Sequence, residues 1–132
     1  MSDSIILVKE LIADLDSALT DLANRVGCMQ QTECSRRKDD AQRIKENCLI
    51  VIKRILDITE ASGLNKIEER KYMSIRMMIL RAHDAINNSL YYLDQIPNAD
   101  LKHKHKQNSY IALLHGSRIL DDAYGKCKES SL

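Results

Sequence analysis

Residues 41–65 have the sequence AQRIKENCLIVIKRILDITEASGLN, which contains a complete helix pattern together with the signal that ends it. Its apolar residues recur at steps of three and four: Ala41, Ile44, Cys48, Val51 or Ile52, Ile55 and Ile58. This spacing predicts an amphipathic helix with one buried stripe. Gly63 followed by Leu64 predicts a Schellman ending for that helix. Asn65, with Glu68 three residues later, predicts that another helix begins at once.

Three other segments of the chain have the same period. The first carries Val8, Leu11, Leu15, Leu19, Leu22 and Val26. Gly27 is expected to end this helix as a left-handed residue. The segment after Asn65 carries Ile75, Ile79, Ala82, Ile86, Leu90 and Leu93. Pro97 is expected to stop it. The last helix is expected to start near Asn98 or Asp100. Its stripe contains Tyr110, Leu113, Leu120 and Tyr124, with Ile119 and Ala123 beside it.

Length and composition agree with a small helical protein. The chain has 132 residues, 4 Gly, 1 Pro and neither Trp nor Phe, whereas sandwiches and barrels need many turn residues. The connections between the four helices are short, and short connections make successive helices antiparallel neighbours. No linker or repeat interrupts the pattern. We therefore expect an all-α fold over residues 1–132, a single up-down-up-down antiparallel four-helix bundle.

We find no targeting signal and no metal-ligand motif in the sequence. The N-terminal residues lack the basic region of a secretory signal, and the strongly apolar stretches are far shorter than the roughly 20 residues that span a bilayer. We expect a cytoplasmic protein with reduced thiols and no membrane contact. Cys28 and Cys34 are too far apart for a C-x-x-C knuckle, and His103 and His105 lie about 200° apart on a helix. No metal site and no cofactor are expected.

The antiparallel topology brings two basic stretches to one end of the bundle. Arg36, Arg37 and Lys38 come from the first connection, and residues 102–106 (KHKHK) come from the third. The N-termini of the second and fourth helices point to the same end, where exposed N–H groups favour anions. This arrangement predicts phosphate contacts to RNA or DNA. The alternative is a solvated, lysine-rich surface diluted by four nearby carboxylates, Asp39, Asp40, Asp94 and Asp100.

Catalytic motifs are weak in this sequence. It contains no glycine-rich phosphate loop, no H-E-x-x-H and no G-x-S-x-G. Arg76 and His83 share a helical face, and the Arg-x6-His spacing resembles the loose pattern of the HEPN superfamily of helical ribonucleases, although Met77 follows the arginine where that pattern often has a polar residue. A histidine beside an arginine can move protons during phosphodiester cleavage. The other interpretation is that both residues flank the core stripe. We expect no enzymatic activity.

A family resemblance covers about residues 22–126. Its features are residues 41–44 (AQRI) opening a long second helix, a break at Gly63, a third helix that ends near Pro97, and Tyr110 leading into residues 115–120 (HGSRIL). In this order of features the chain resembles the accessory variability determinant proteins of diversity-generating retroelements and the related 23S rRNA intervening-sequence four-helix-bundle proteins.

That resemblance implies a non-enzymatic homo-oligomer, usually a pentameric ring, which binds RNA and DNA through basic surfaces and docks on a reverse transcriptase. The matching basic residues would be Arg36, Arg37, Lys38, Arg43, Lys102, Lys104, Lys106 and Arg118. Two features depart from the family. The formal net charge is only +1, whereas family members tend to be strongly basic, and Tyr124 stands where they have tryptophan. A protein-only helical adaptor remains a third hypothesis.

Overall fold

The computed structural model describes residues 2–61, 63–96 and 102–128, without the side chains of residues 2 and 3. Within these ranges the chain is helical and contains no strand. The four long helices are α1 (Ser2–Gly27), α2 (Cys34–Ala61), α3 (Lys66–Gln95) and α4 (Lys102–Lys128). A short 3-10 turn, Gln31–Glu33, leads directly into α2.

The helices form a four-helix bundle in which each packs against two neighbours. α1 contacts α2 and α4, and α3 contacts α2 and α4, whereas the diagonal pairs hardly touch. As the chain advances along α1, the residues of α4 that it contacts come earlier in the sequence. Lys9 lies over Tyr124, whereas Thr20 bonds Ser117. The same reversal relates α3 to α4, where Ser89 bonds Ser109 and Tyr92 stacks on His105. The predicted all-α, up-down-up-down antiparallel bundle is confirmed.

The core follows the predicted stripes. Every stripe position is either buried or packs, partly buried, against the core. The pattern missed Ile12 and Ala23 in α1, both fully buried. The pattern also did not predict that the buried face of α4 includes Ser109, Gly116 and Ser117 beside its apolar residues. The hydroxyls of Ser109 and Ser89 satisfy one another at 2.7 Å, so burying both creates no unpaired polar group.

Three of the predictions concern the ends of helices. Gly63 has φ +53°, as predicted for the residue that follows α2. Asn65 caps α3 by accepting a hydrogen bond from the Glu68 N–H at 2.9 Å, which confirms the predicted N-cap. α1 ends at Gly27, as predicted, but Gly27 has no positive φ, so the predicted left-handed conformation is wrong. A Cβ on Gly27 would lie 3.2 Å from two ring carbons of Tyr110, so the missing side chain allows close packing on α4.

The basic stretches belong to helices and not to connections, which corrects their predicted placement. Arg36, Arg37 and Lys38 lie in the first turns of α2 because the helical path already starts at the 3-10 turn. Residues 102–106 form the first turns of α4. The predicted stop at Pro97 and the predicted starts near Asn98 or Asp100 lie outside the described residues.

Membrane insertion by a helix has no support in the described part of the chain. None of the helices found there combines the length and the apolar character that a bilayer span requires.

Candidate nucleic-acid interface

Two contacts hold the start of α2 against the end of α3. The buried Cys34 thiol donates a hydrogen bond to the Leu93 carbonyl at 3.3 Å, and burial raises the pKa of this thiol. One turn further along α2, Lys38 Nζ lies 2.7 Å from Asp94 Oδ1. That hydrogen bond raises the pKa of Lys38, which therefore stays charged.

The start of α4 lies beside the end of α1 in the same way. An open groove of about 540 Å³ separates them, and Tyr110 lies along it, against Gly27. Lys106 and His103 from α4 line this groove together with Asn24, Cys28 and Gln107. The two basic stretches thus share one end of the bundle, formed by residues 27–43, 87–96 and 102–110, which we call the basic end.

Charge is unevenly distributed along the bundle axis. Residues 31–43, Asp94 and residues 102–106 carry seven cationic side chains against four carboxylates. The other end, residues 4–10, 57–71 and 121–128, carries six cations against seven carboxylates. The N-termini of α2 and α4 add partial positive charge at the basic end. The field therefore favours a polyanion at the basic end despite the balanced total charge.

Three of the eight residues predicted to contact phosphate form ion pairs with aspartates. Arg37 Nη1 lies 3.2 Å from Asp40 Oδ2, and Arg43 Nη1 lies 3.5 Å from the other oxygen of that carboxylate. Lys38 is held by Asp94. Arg37 is only 3% exposed, so its guanidinium packs inside the bundle and has no open face for a phosphate. We therefore exclude Arg37 from the candidate interface.

The remaining predicted residues divide by position. Arg36, Lys102 and Lys104 are exposed and Lys106 is half-buried, and no described residue forms an ion pair with any of these four. We call these four residues the end cations. Arg118 is also exposed, but it lies 16 residues along α4 from Lys102, or about 24 Å along the axis. Arg118 therefore lies outside the basic end.

Sequence reasoning missed an aromatic series on the basic end. Tyr91 is 62% exposed, and its ring meets the edge of Tyr92 at a centroid distance of 5.5 Å and an angle of 74°. Tyr92 in turn stacks on His105 of α4 at 6.4 Å and 26°. The available signal was periodicity, because Tyr91 falls off the buried stripe that Leu90 and Leu93 continue.

Arg76 and His83 lie within α3, away from the basic end. Both are partly buried, and Arg76 Nε and His83 Nε2 are enclosed without a described hydrogen-bond partner. The other ring nitrogen of His83 lies 3.5 Å from Asp84 Oδ1, at the limit of a hydrogen bond. Among the described residues, these unpartnered atoms are the feature most relevant to the ribonuclease alternative.

Metal ligands do not gather in the part of the chain that the structure describes. No three histidine, cysteine or acidic side chains there lie close enough to hold an ion. Cys28, Cys34 and Cys48 are free thiols, and Cys28 is exposed, whereas Cys34, Cys48 and Cys127 are buried.

A polar cluster joins α1 to α4 beyond the basic end. Asp16 Oδ1 accepts hydrogen bonds from the hydroxyls of Ser117 at 2.6 Å and Thr20 at 3.3 Å. Asp121 lines the same groove as Asp16. A hydrogen bond to Asp16, with burial and the negative charges of Asp16 and Asp122, raises the pKa of Asp121 to about 6. Above this pH two carboxylates face each other across the α1–α4 seam.

Replacing Asp121 with asparagine is expected to stabilise the protein at pH 8 but not at pH 4. The folded-state pKa lies above the ordinary value of about 3.9, so this carboxyl's contribution is complete below pH 4 and is lost as the pH rises through 6. Because Asp121 is exposed, screening limits the gain to below about 1 kcal/mol. Urea unfolding at both pH values measures it, with Asp14→Asn on the open face of α1 as control. An equal gain at both pH values would contradict the raised pKa of Asp121.

Comparison with known proteins gives no match to this chain among family models, curated proteins or solved structures.

Proposed function

We propose that the protein is a non-enzymatic helical bundle that binds RNA through its basic end. The observation that carries the proposal is the convergence of the end cations, Arg36, Lys102, Lys104 and Lys106, at the end where α2 and α4 begin. These cations come from two helices and form no ion pair with described residues, so their charge is available to a ligand.

A polyanion fits this surface better than a single small anion does. The end cations are distributed over two helix starts and are not focused into one closed pocket. Successive phosphates of a nucleic acid can each contact one cation and release a counterion, and the gains accumulate along the strand. RNA is the proposed ligand, and DNA of the same length is the comparison that measures the preference.

Two further parts of the proposal come from the family resemblance: a homo-oligomer, possibly the family's pentamer, and docking on a partner protein such as a reverse transcriptase. Exposed apolar side chains support such contacts. Ile6 is 49% exposed, and Leu49 and Ile50 are 46% and 59% exposed in the middle of α2. All lie away from the basic end, so assembly through them leaves that end open to RNA. The absolute mass of the protein in solution tests this part.

Salt dependence of RNA binding tests the proposal. For a single strand, the logarithm of the association constant falls with the logarithm of salt concentration by about 0.7 per phosphate contacted. With four end cations engaged, we expect a slope of about −3. Fluorescence anisotropy of a labelled oligouridylate between low and moderate salt measures it. Absence of binding at low salt, or a slope near zero, would contradict the proposal.

A denaturing gel of the same RNA and the anisotropy assay together distinguish the two alternatives. A HEPN-like ribonuclease that uses Arg76 and His83 would shorten the RNA on a denaturing gel, and His83→Ala would abolish the cleavage while leaving the fold intact. The non-enzymatic proposal requires intact RNA throughout. A protein-only adaptor would leave the anisotropy unchanged at every salt concentration.

A further inference from the structure

A second groove lies on the basic end, between α2 and α3, where sequence analysis placed only the phosphate contact of Lys38. It has a volume of about 540 Å³ and is open to solvent along its length. Gln42 and Lys45 line it from α2, and Asn87, Leu90 and Tyr91 line it from α3. This volume is within the range of about 300–1,000 Å³ that is common for small-molecule sites.

The chemistry of this groove differs from that of the end cations. Its four charged side chains are two lysines and two aspartates, Lys38, Lys45, Asp39 and Asp94, so it has no net charge. Lys38 and Asp94 already bond each other. Two amides, Gln42 and Asn87, provide both donors and acceptors. A neutral groove with amides suits the edge of an uncharged heterocycle better than it suits a phosphate.

Tyr91 supplies an aromatic surface at the rim of the groove. Tyr91 is 62% exposed, so its ring is accessible to a ligand. The edge-to-face contact with Tyr92 restricts the ring, so little conformational freedom is lost when a ligand stacks on it. Tyr92 also stacks on His105, which connects this surface to the first turns of α4 and their cations.

We infer that the α2–α3 groove binds an unpaired nucleobase of single-stranded nucleic acid, which stacks on Tyr91 while the adjoining phosphates contact the basic end. This inference rests on the proposed function and makes it more specific. The bases of a duplex are stacked on one another and cannot reach Tyr91, whereas the bases of a single strand present free π faces. The groove would therefore give a preference for single strands that the end cations alone do not give.

The test uses an oligouridylate, free or annealed to oligoadenylate, and three variants of the full chain. Loss of stacking on one aromatic ring weakens single-strand binding by about 5- to 100-fold, and we expect this for Tyr91→Ala. Tyr91→Phe keeps the ring and should bind within about twofold of wild type. Met77→Ala, which removes a similarly exposed side chain from α3 outside the groove, is the matched control. All variants should bind the duplex like wild type.

The chain's own fluorescence gives a second readout. It contains no Trp and 5 Tyr, so tyrosine emission is observable, and stacking of a base on Tyr91 should quench part of it. That quenching should disappear in both Tyr91→Phe and Tyr91→Ala. Binding by Tyr91→Ala equal to wild type, or an equal loss on single strand and duplex, overturns the stacking inference.

These outcomes separate the inference from the proposed function. A salt slope of about −3 with no effect of Tyr91→Ala leaves the phosphate contacts in place and overturns only the base site. A loss in Tyr91→Ala with a slope near zero supports the base site and overturns the end cations. A wild-type protein that binds neither probe overturns both.

Discussion

Replacing Gly116 with leucine is expected to lower the free energy of unfolding by about 3 kcal/mol, the upper part of the range for overpacked cores. Gly116 is buried where α4 meets both α1 and α3. A Cβ there would lie 3.0 Å from Leu19 Cδ2 and 3.4 Å from Ala85 Cβ. It would also lie 3.6 Å from the Ala82 carbonyl oxygen, which belongs to a helix backbone and cannot move aside. The longer side chain must therefore separate three helices.

The same helix provides a matched control for this substitution. A Cβ on Gly125 would meet nothing within 4 Å. Gly125→Leu should therefore be neutral, or stabilising by up to about 1 kcal/mol, because leucine favours a helix more than glycine does. Thermal unfolding followed by circular dichroism should show a midpoint about 10 °C lower for Gly116→Leu. Equal midpoints for Gly116→Leu and wild type would show that the helices are not packed this closely at α4.

The fold was predictable because local signals along the chain agree with one another. The three- and four-residue period marks the buried face of each helix. Gly63 lacks the Cβ that disfavours a left-handed residue, and Asn65 has the side-chain oxygen that an N-cap requires. Short connections then leave few topologies for four helices. The close approach at Gly116 was not predictable, since it depends on which residues of α1 and α3 lie opposite.

The candidate site was predictable only in part. The topology correctly brings the two basic stretches to one end. It does not reveal that Asp94 holds Lys38, because that distance depends on helix rotation. The pair of Asp40 and Arg43 is three residues apart within α2, so its spacing was a usable signal. The burial of Arg37 did leave a sequence signal, since it lies four residues before Ala41 on the buried stripe. The groove beside Tyr91 left no sequence signal except that Tyr91 lies off the buried stripe, because residues of α2 form the other wall of the groove.

The largest expected effect on binding comes from neutralising the end cations together. The variant Arg36→Gln, Lys102→Gln, Lys104→Gln and Lys106→Gln removes the charges that form no ion pair with described residues at the basic end. Four phosphate contacts with a combined slope of about −3 are worth roughly 10⁴-fold in affinity at 50 mM salt relative to 1 M salt. We therefore expect single-stranded RNA binding at low salt to fall by about that factor. Glutamine is polar and favours a helix about as well as lysine and arginine do, so the fold should not change.

A matched variant controls for the loss of net charge. Lys53, Arg54, Lys66 and Arg70 are exposed on the second half of α2 and the start of α3. Replacing all four with glutamine lowers the net charge by the same amount but leaves the basic end intact. Its RNA affinity should remain within about threefold of wild type, because charges more than a Debye length from the strand are screened.

The most direct measurement is the RNA association constant of wild type and these two quadruple variants as a function of salt concentration. If RNA contacts the basic end, the variant in the end cations loses both its low-salt affinity and its salt slope, while the variant at Lys53, Arg54, Lys66 and Arg70 keeps them. Equal losses in the two variants would show that only net charge matters. Wild-type affinity in the variant that lacks the end cations would show that RNA, if it binds, binds elsewhere on the bundle.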